Sequence, residues 1–495
     1  MPPPNILLIT ADQFRWDCLG AAGNPCIRTP NLDALARRGV LCRNAFTPNP
    51  ICVPARAAIM TGNYPHVCTG SKTNSGRIRE GQPLLTEVLR RAGYRSYALG
   101  KLHFVPYARP GEPRLVHGFD HVDLTESGRL VCQFDPTGQQ RGLEDYVDYL
   151  ADVGWGGYSR AHGAGNNDVR PCPSPLPAAH HVDHWIADCT LRQLDRHRRE
   201  YPDRPFFMWM SSPKPHSPYD PPRPFDTLYD PRTLPRPFGG PELLAGRNLV
   251  IEQIRHTHAI ASLSPAALQV IRSYYYGSIS FLDAMIGRVL GRLAELGLTD
   301  NTLVLFTADH GDLLGDFGSF FKSNHLNGSV RVPFIVAGPG VARGAESPAL
   351  VGLQDILPTF AAAAGADVGQ PVQGLSLLPH LASARGAVRP WYYAQCGRSP
   401  GQTAMVTDGQ WKYIYSEANA TEELYDQAAD PAELMNRAGD AACAARLAAL
   451  RQQLRACATE LGDTALLTGD GFAASTADRS ELAKLPVSGM GWRWL

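Results

Sequence analysis

The feature that most constrains this chain is a recurring unit. A short apolar run ends abruptly in a polar residue, and a helical pattern follows. Ile6-Leu7-Leu8-Ile9-Thr10 runs straight into Ala11-Asp12-Gln13. Phe206 to Met210 leads towards His216, and Thr302 to Thr307 leads to Asp309. Unbroken apolar runs of this length suit strands buried on both faces. Tyr94 to Leu99 and Val332 to Ala337 read as further strands. Between the runs lie helices. Thr29-Pro30-Asn31-Leu32-Asp33 opens one, with Thr29 as N-cap, Pro30 at the first helical position and Gly39 as the stop. Leu84 to Ala92 is helical and ends at Gly93, and Pro265 to Leu296 reads as a long amphipathic helix. Such alternation predicts an α/β fold, a large mostly parallel sheet sandwiched by helices. Sites in these sheets lie beyond the carboxyl ends of the strands, so Asp12, His216 and Asp309 are expected at one edge.

The pattern changes along the chain. Pro106 to Pro177 is rich in Gly and Pro and predicts insertions that wall the site, with Trp155 and Tyr158 lining a pocket or packing beneath it. Trp391 to Tyr393, Ala404 to Thr407 and Trp411 to Tyr415 read as short strands, with Asp408-Gly409 as a tight hairpin turn. Glu433 to Leu461 reads as helical. The expected organisation is an α/β catalytic domain at 1–385, a small C-terminal α+β subdomain at 386–463 and an extended tail at 464–495. The tail carries Trp492, Trp494 and Leu495. Their apolar area predicts either folding back or crossing to a neighbouring subunit in a homo-oligomer.

Composition narrows the function. Lys+Arg and Asp+Glu number 47 each in 495 residues, so net charge gives no support to a nucleic-acid or membrane-surface partner. No apolar run approaches a membrane span, and the first residues lack the basic start of a signal peptide. A cytoplasmic protein is expected. The eleven cysteines are scattered without zinc-site spacing. They are expected to be small buried hydrophobes, Cys52 excepted.

Cys52-Val53-Pro54-Ala55-Arg56, continued by Thr61-Gly62, carries the chemistry. Around it in the sequence stand Asp12-Gln13, Asp309-His310-Gly311, Gly100-Lys101-Leu102-His103, Pro215-His216-Ser217-Pro218 and Lys322 upstream of Asn327. Together these resemble the formylglycine-dependent (type I) sulfatase family of the alkaline-phosphatase-like superfamily, near its arylsulfatase, choline-sulfatase and phosphonate monoester hydrolase branch. The resemblance runs from Asn5 to about Asn436. It implies that a separate formylglycine-generating enzyme oxidises Cys52. It also implies one divalent ion on Asp12, Gln13, Cys52, Asp309 and His310, calcium or alternatively manganese. Oxygen donors with one imidazole suit such an ion. By the same resemblance Lys101 and Lys322 neutralise sulfate oxygens, His216 acts as general acid, His103 assists sulfate expulsion and Arg56 orients the modified side chain. Asn74 is a further candidate for a sulfate contact.

Two features depart from the common pattern. Ala55 replaces the more usual serine. Many sulfatases carry Asp-Asp and Asp-Asn at the metal turns; this chain has Asp-Gln and Asp-His, the version that resembles phosphonate monoester hydrolases and choline-sulfatase-like members. The Gly-Lys-x-His segment favours a sulfatase. The expected activity is therefore hydrolysis of a small-molecule sulfate monoester, with phosphonate monoester or phosphodiester hydrolysis as the alternative. A catalytically silent binder of sulfated ligands would have lost the cysteine or a metal ligand, and all are present. His180, His181 and His184 cluster near a helix start, where a solvated helix end is expected over the alternative of metal binding.

Overall fold

The apolar runs assemble into one eight-stranded sheet. In a computed structural model, residues 3–103, 114, 116–126, 137–244 and 249–485 are described. The strands are β1 (Asn5–Asp12), β2 (Val40–Phe46), β3 (Arg95–Gly100), β4 (His121–Leu124), β5 (Phe206–Pro215), β6 (Thr302–Ala308), β7 (Phe334–Ala337) and β8 (Ala345–Gly352). Their spatial order is β4-β3-β5-β1-β6-β7-β2-β8. Every residue of β1 is buried because it lies between β5 and β6, with Ile6 opposite Phe207 on one side and Leu303 on the other. β3, β5, β1 and β6 run parallel, so their carboxyl ends meet at one edge. β7 runs antiparallel to both β6 and β2, hence the sheet is mostly rather than wholly parallel.

The helices follow the expected pattern with two differences. The first helix, α1 (Pro30–Arg37), starts after Thr29, but Thr29 does not cap it. Thr29 Oγ1 instead donates to Asp33. The cap comes from far along the chain: Asp283 accepts from Asn31 N at 3.2 Å and Leu32 N at 2.8 Å. The helix Pro265–Glu295 begins at Ser264, whose side chain accepts from Ala267 N. It is not amphipathic in its middle, since every residue from Tyr275 to Asp283 is buried. The outer face there is covered by the 219–234 segment, where Tyr229 hydrogen-bonds Ser280 at 2.6 Å.

A second sheet follows, formed by β9 (Tyr392–Cys396), β10 (Thr403–Thr407), β11 (Trp411–Ser416) and β12 (Thr421–Asp426), all antiparallel in the order β12-β11-β10-β9. β12 was not among the strands expected. Alternate residues face opposite ways. Tyr392, Ala394, Met405, Ile414 and Tyr425 pack on Phe46, Leu313 and Val330 of the large domain. Tyr393, Ala404, Val406, Tyr413 and Leu424 pack on Leu447, Leu450 and Leu454 of the helix Ala444–Leu461. That helix is shorter than the expected 433–461. Glu433 is buried in a left-handed conformation (φ 59°), and its carboxylate pairs with the buried Lys412 and accepts from Asn327 N at 2.6 Å. A residue bound on that side cannot begin a regular helix.

Among the described residues no helix is long and apolar enough to cross a membrane, and the ten described cysteines are all free. The expected wall at 106–177 is described only in part. Within it, Trp155 packs edge-on against Tyr158 and beside His180, partly covering the core. Trp492, Trp494 and Leu495 lie outside the described residues. The tail first packs on the C-terminal sheet, where Phe472 stacks on Tyr415, and farther along the Leu485 carbonyl meets His256 of the large domain at 3.2 Å.

Candidate active site

Cys52 opens α2 (Cys52–Thr61), a helix buried along its whole length. Pro54 fits its first turn, where a backbone N–H has no helical partner to lose. Asn74 satisfies another such donor, its side-chain oxygen accepting from Val53 N at 3.0 Å. Asn74 is itself exposed, so it borders the buried cluster as a cap. Gly62 ends the helix, its N–H bonding the Ala58 carbonyl at 2.9 Å. Cys52 and Arg56 stand one turn apart and so share a face.

That face meets the carboxyl ends of β1 and β6. Ligand atoms of Asp12, Cys52, Asp309 and His310 all lie within 4.8 Å of one another, and all four residues are buried. Cys52 Sγ is 3.1 Å from His310 Nε2 and 3.7 Å from Asp12 Oδ1. His310 Nδ1 faces the Gly311 carbonyl at 3.0 Å, and a carbonyl can only accept. The proton of the neutral ring therefore lies on Nδ1, and the Nε2 lone pair faces the cluster. Arg56 holds Asp309 Oδ2 with Nε at 2.8 Å, while its Nη1 donates to the Lys101 carbonyl and to Ser211 Oγ. Two carboxylates, an imidazole and the residue-52 side chain form a donor set that fits one divalent ion.

Two lysines flank the cluster. Gly100 ends β3 at φ 107°, and a Cβ there would meet the Ser211 carbonyl at 2.0 Å. Only glycine lets the chain turn so close to β5 and deliver Lys101 inward. Lys101 is fully buried, with its ammonium on Asp12 Oδ2. Lys322, less buried, donates to Gln13 Oε1 at 2.5 Å and lies 2.7 Å from His216 Nε2. His216 follows β5; its backbone N–H bonds the Asp12 carbonyl at 3.0 Å, and its Nδ1 lies 2.9 Å from the Ser217 carbonyl. Ser217 in turn donates to the Asn166 carbonyl, so the 159–168 stretch packs on the His216 turn. His103 lies at the rim in a left-handed conformation, its backbone N–H on the buried Glu126 carboxylate at 2.8 Å and its ring 3.8 Å from it.

The charges set the local acidities. Burial and Asp12 oppose a thiolate at Cys52, but Lys322, His310 and Lys101 outweigh them and bring it from 9.0 down to about 7. Burial also opposes the charge on Asp12, yet Lys101, His216, Arg56 and His310 hold it well below the usual carboxylate range.

Every named site residue except Asn74 and the rim His103 thus joins one contiguous network with Cys52. His180, His181 and His184 do not; they lie at the start of the helix Val182–Glu200. His181 is buried there and accepts from Asp183 N, contrary to a solvated helix end. Sequence reading missed Ser211, Glu126 and Asp312. Asp312 stood in view three residues beyond Asp309, but nothing local showed what it would touch.

Fold and site together define a hydrolase of the alkaline-phosphatase-like superfamily. The sulfatase family model matches residues 4–366, and the model for the N-sulphoglucosamine sulphohydrolase C-terminal region matches residues 315–460. The chain belongs to the sulfatase family, whose members are sulfuric ester hydrolases and in general use a divalent metal and formylglycine. It is 30% identical over 452 residues to an arylsulfatase of Clostridium perfringens, covering 88% of this chain and 90% of the relative. It is 32% identical over 442 residues to a choline-sulfatase of Rhizobium meliloti, covering 88% and 82%. The crystal structure of a phosphonate monoester hydrolase of Agrobacterium radiobacter superposes with TM-score 0.79 at 26% identity, covering 96% of this chain and 100% of that one.

Proposed function

We propose that this sulfatase cleaves small-molecule sulfate monoesters with a formylglycine formed from Cys52. Asp12, Gln13, Cys52, Asp309 and His310 would hold one divalent ion, with calcium the first expectation and manganese the alternative. The observation that carries this reading is the buried Asp12, Cys52, Asp309 and His310 cluster, closed within 4.8 Å and flanked by Lys101 and Lys322. When bound, the ion supplies a Lewis acid for a sulfate oxygen. Formylglycine at position 52, once hydrated, would supply a nucleophilic hydroxyl and a second hydroxyl able to release the sulfate.

The chain's own residues do the rest. Arg56 fixes Asp309 and leaves a buried N–H, Nη2, without a partner among the described residues. One turn from residue 52, that donor is placed for an oxygen on the modified side chain. Lys101 and Lys322 oppose the charge of the sulfuryl group beside a buried cluster, where such charges act more strongly than in water. His216 Nε2 faces Lys322 Nζ, so a proton can pass along this pair to the leaving oxygen. His103, backed by Glu126, would serve as the base for the modified residue-52 side chain.

The test is twofold. Co-expression with a formylglycine-generating enzyme should lower the mass of the Cys52 peptide below its thiol form. A panel of aryl sulfates, choline sulfate and sulfated sugars should then be turned over faster than phosphonate monoesters and phosphate diesters. Phosphonate monoester hydrolysis is the second reading, favoured by the likeness to the Agrobacterium enzyme and by the Asp12-Gln13 and Asp309-His310 turns. A panel led by phosphonates would establish it in place of the first.

A further inference from the structure

Gln13 is held in an unusual way. Its backbone is left-handed (φ 67°), a conformation that costs a non-glycine residue energy unless its surroundings enforce it. Here they do: Gln13 N donates to Asp309 Oδ1 at 3.1 Å, and Tyr275 Oη donates to the Gln13 carbonyl at 2.6 Å. The side chain then faces two ways. Its oxygen accepts from Lys322 on the side of the proposed metal site, and its nitrogen donates to Asp312 Oδ2 at 2.5 Å.

Asp312 is fully buried, and hydrogen bonds meet both of its oxygens. Oδ1 accepts from Leu314 N and Phe321 N, each at 2.7 Å. Oδ2 accepts from Gln13 Nε2 and from Tyr219 Oη at 2.7 Å. With two backbone donors anchoring one oxygen, the carboxylate cannot rotate. An ionised carboxylate only accepts, so only the nitrogen end of an amide can rest against it.

We propose that Asp312 is a positioning residue that turns the Gln13 amide so that its oxygen faces the metal site, an inference that rests on the site proposed above. Without this acceptor the amide could present its N–H₂ inward, which no cation would take as a ligand. The chain places the acceptor beyond the cluster on the far side of Gln13. The same carboxylate also ties the segment that leads to Lys322, through Phe321 N, so Gln13 and Lys322 are set against each other from one anchor.

Reciprocal substitution provides the test. In Asp312→Asn, the backbone donors keep the amide oxygen at the Oδ1 position and place an N–H₂ against Gln13, whose amide must then flip. Calorimetric titration of the metal-free variant with calcium, and separately with manganese, should give an affinity ten- to a hundredfold weaker than wild type, the usual cost of losing an outer partner of a metal ligand. Gln13→Glu sets carboxylate against carboxylate and should also weaken binding. The double variant Gln13→Glu/Asp312→Asn restores a donor facing an oxygen at both ends, and should recover affinity to within about fivefold of wild type. Recovery by combining two harmful changes is a signature that a merely structural carboxylate does not give. Asp312→Asn binding metal within twofold of wild type, or a double variant no better than the weaker single one, would overturn the inference. Gln13→Ala separates the two levels. If it binds both metals like wild type, Gln13 has no place in the site and both readings fall. If it loses affinity while Asp312→Asn does not, only the positioning role fails.

Discussion

Lys101 and Lys322 resemble each other in sequence-level role and differ in structure, so replacing each by methionine should give different results. Lys101 is fully buried, with Asp12, equally buried, as its ion-pair partner. Removing one member of a buried pair leaves an uncompensated charge and costs about 3–5 kcal/mol of stability. Lys322 is nearer solvent and hydrogen-bonds the uncharged amide of Gln13 as well as meeting His216, so its stability cost should stay near 1 kcal/mol. Both ammonium groups oppose sulfuryl charge in the proposed mechanism, and each should contribute about 3 kcal/mol to the barrier, roughly a hundredfold in rate. Lys101→Met should therefore lose both rate and stability, and Lys322→Met mainly rate. The assay is kcat and KM on a chromogenic aryl sulfate, with fully modified, metal-saturated enzyme. Urea unfolding of the same variants is run in chelator, so that no ion balances Asp12. Either variant keeping kcat within a few-fold of wild type would remove that lysine from the chemistry. Lys101→Met unfolding within 1 kcal/mol of wild type would show that Asp12 does not depend on it.

Cys52→Ala should abolish turnover, and Asp309→Ala should lose bound metal and activity together, read by elemental analysis beside the rate; an active metal-free preparation would refute the second. Burial raises the Asp183 carboxyl from 3.8 to about 7, with Ser212 and Lys214 only partly opposing. The folded state therefore holds a proton that the unfolded state has released, and stability falls as pH rises from about 4 to 7, by up to about 4 kcal/mol. Asp183→Asn can still accept from Ser212 and should remove that slope, gaining on wild type at pH 8 relative to pH 5 in urea unfolding; parallel pH profiles would refute this. Lys412→Met strands the buried Glu433 and should destabilise by about 3–5 kcal/mol, checked by the same unfolding measurement. Light scattering tests the expected homo-oligomer, and a single-chain mass refutes it.

Much of this protein was legible before any coordinates. Apolar runs ending in Asp12, Asp309 and near His216 announced a parallel sheet and the edge where its site would lie. That inference works because strand polarity is a local property: each carboxyl end carries its polar residue, and parallel pairing brings the ends together. The motif around Cys52 stood out because the residue types themselves carry the chemistry. What sequence could not show is how those residues are held. The cap of α1 comes from Asp283, some 250 positions away. Glu433 looked like the start of a helix, yet Lys412 and Asn327 bind it in place, and burial of that ion pair outweighs local helical preference. Sequence marked Lys101 as a site residue but could not show that it is fully buried against Asp12. Asp312 accepts a hydrogen bond from Gln13 across a separation of 299 residues. Local pattern records periodicity and polarity, which short-range sterics and burial impose. Hydrogen-bond partners in a closed interior are chosen by which surfaces the fold brings together, and only the tertiary structure decides that.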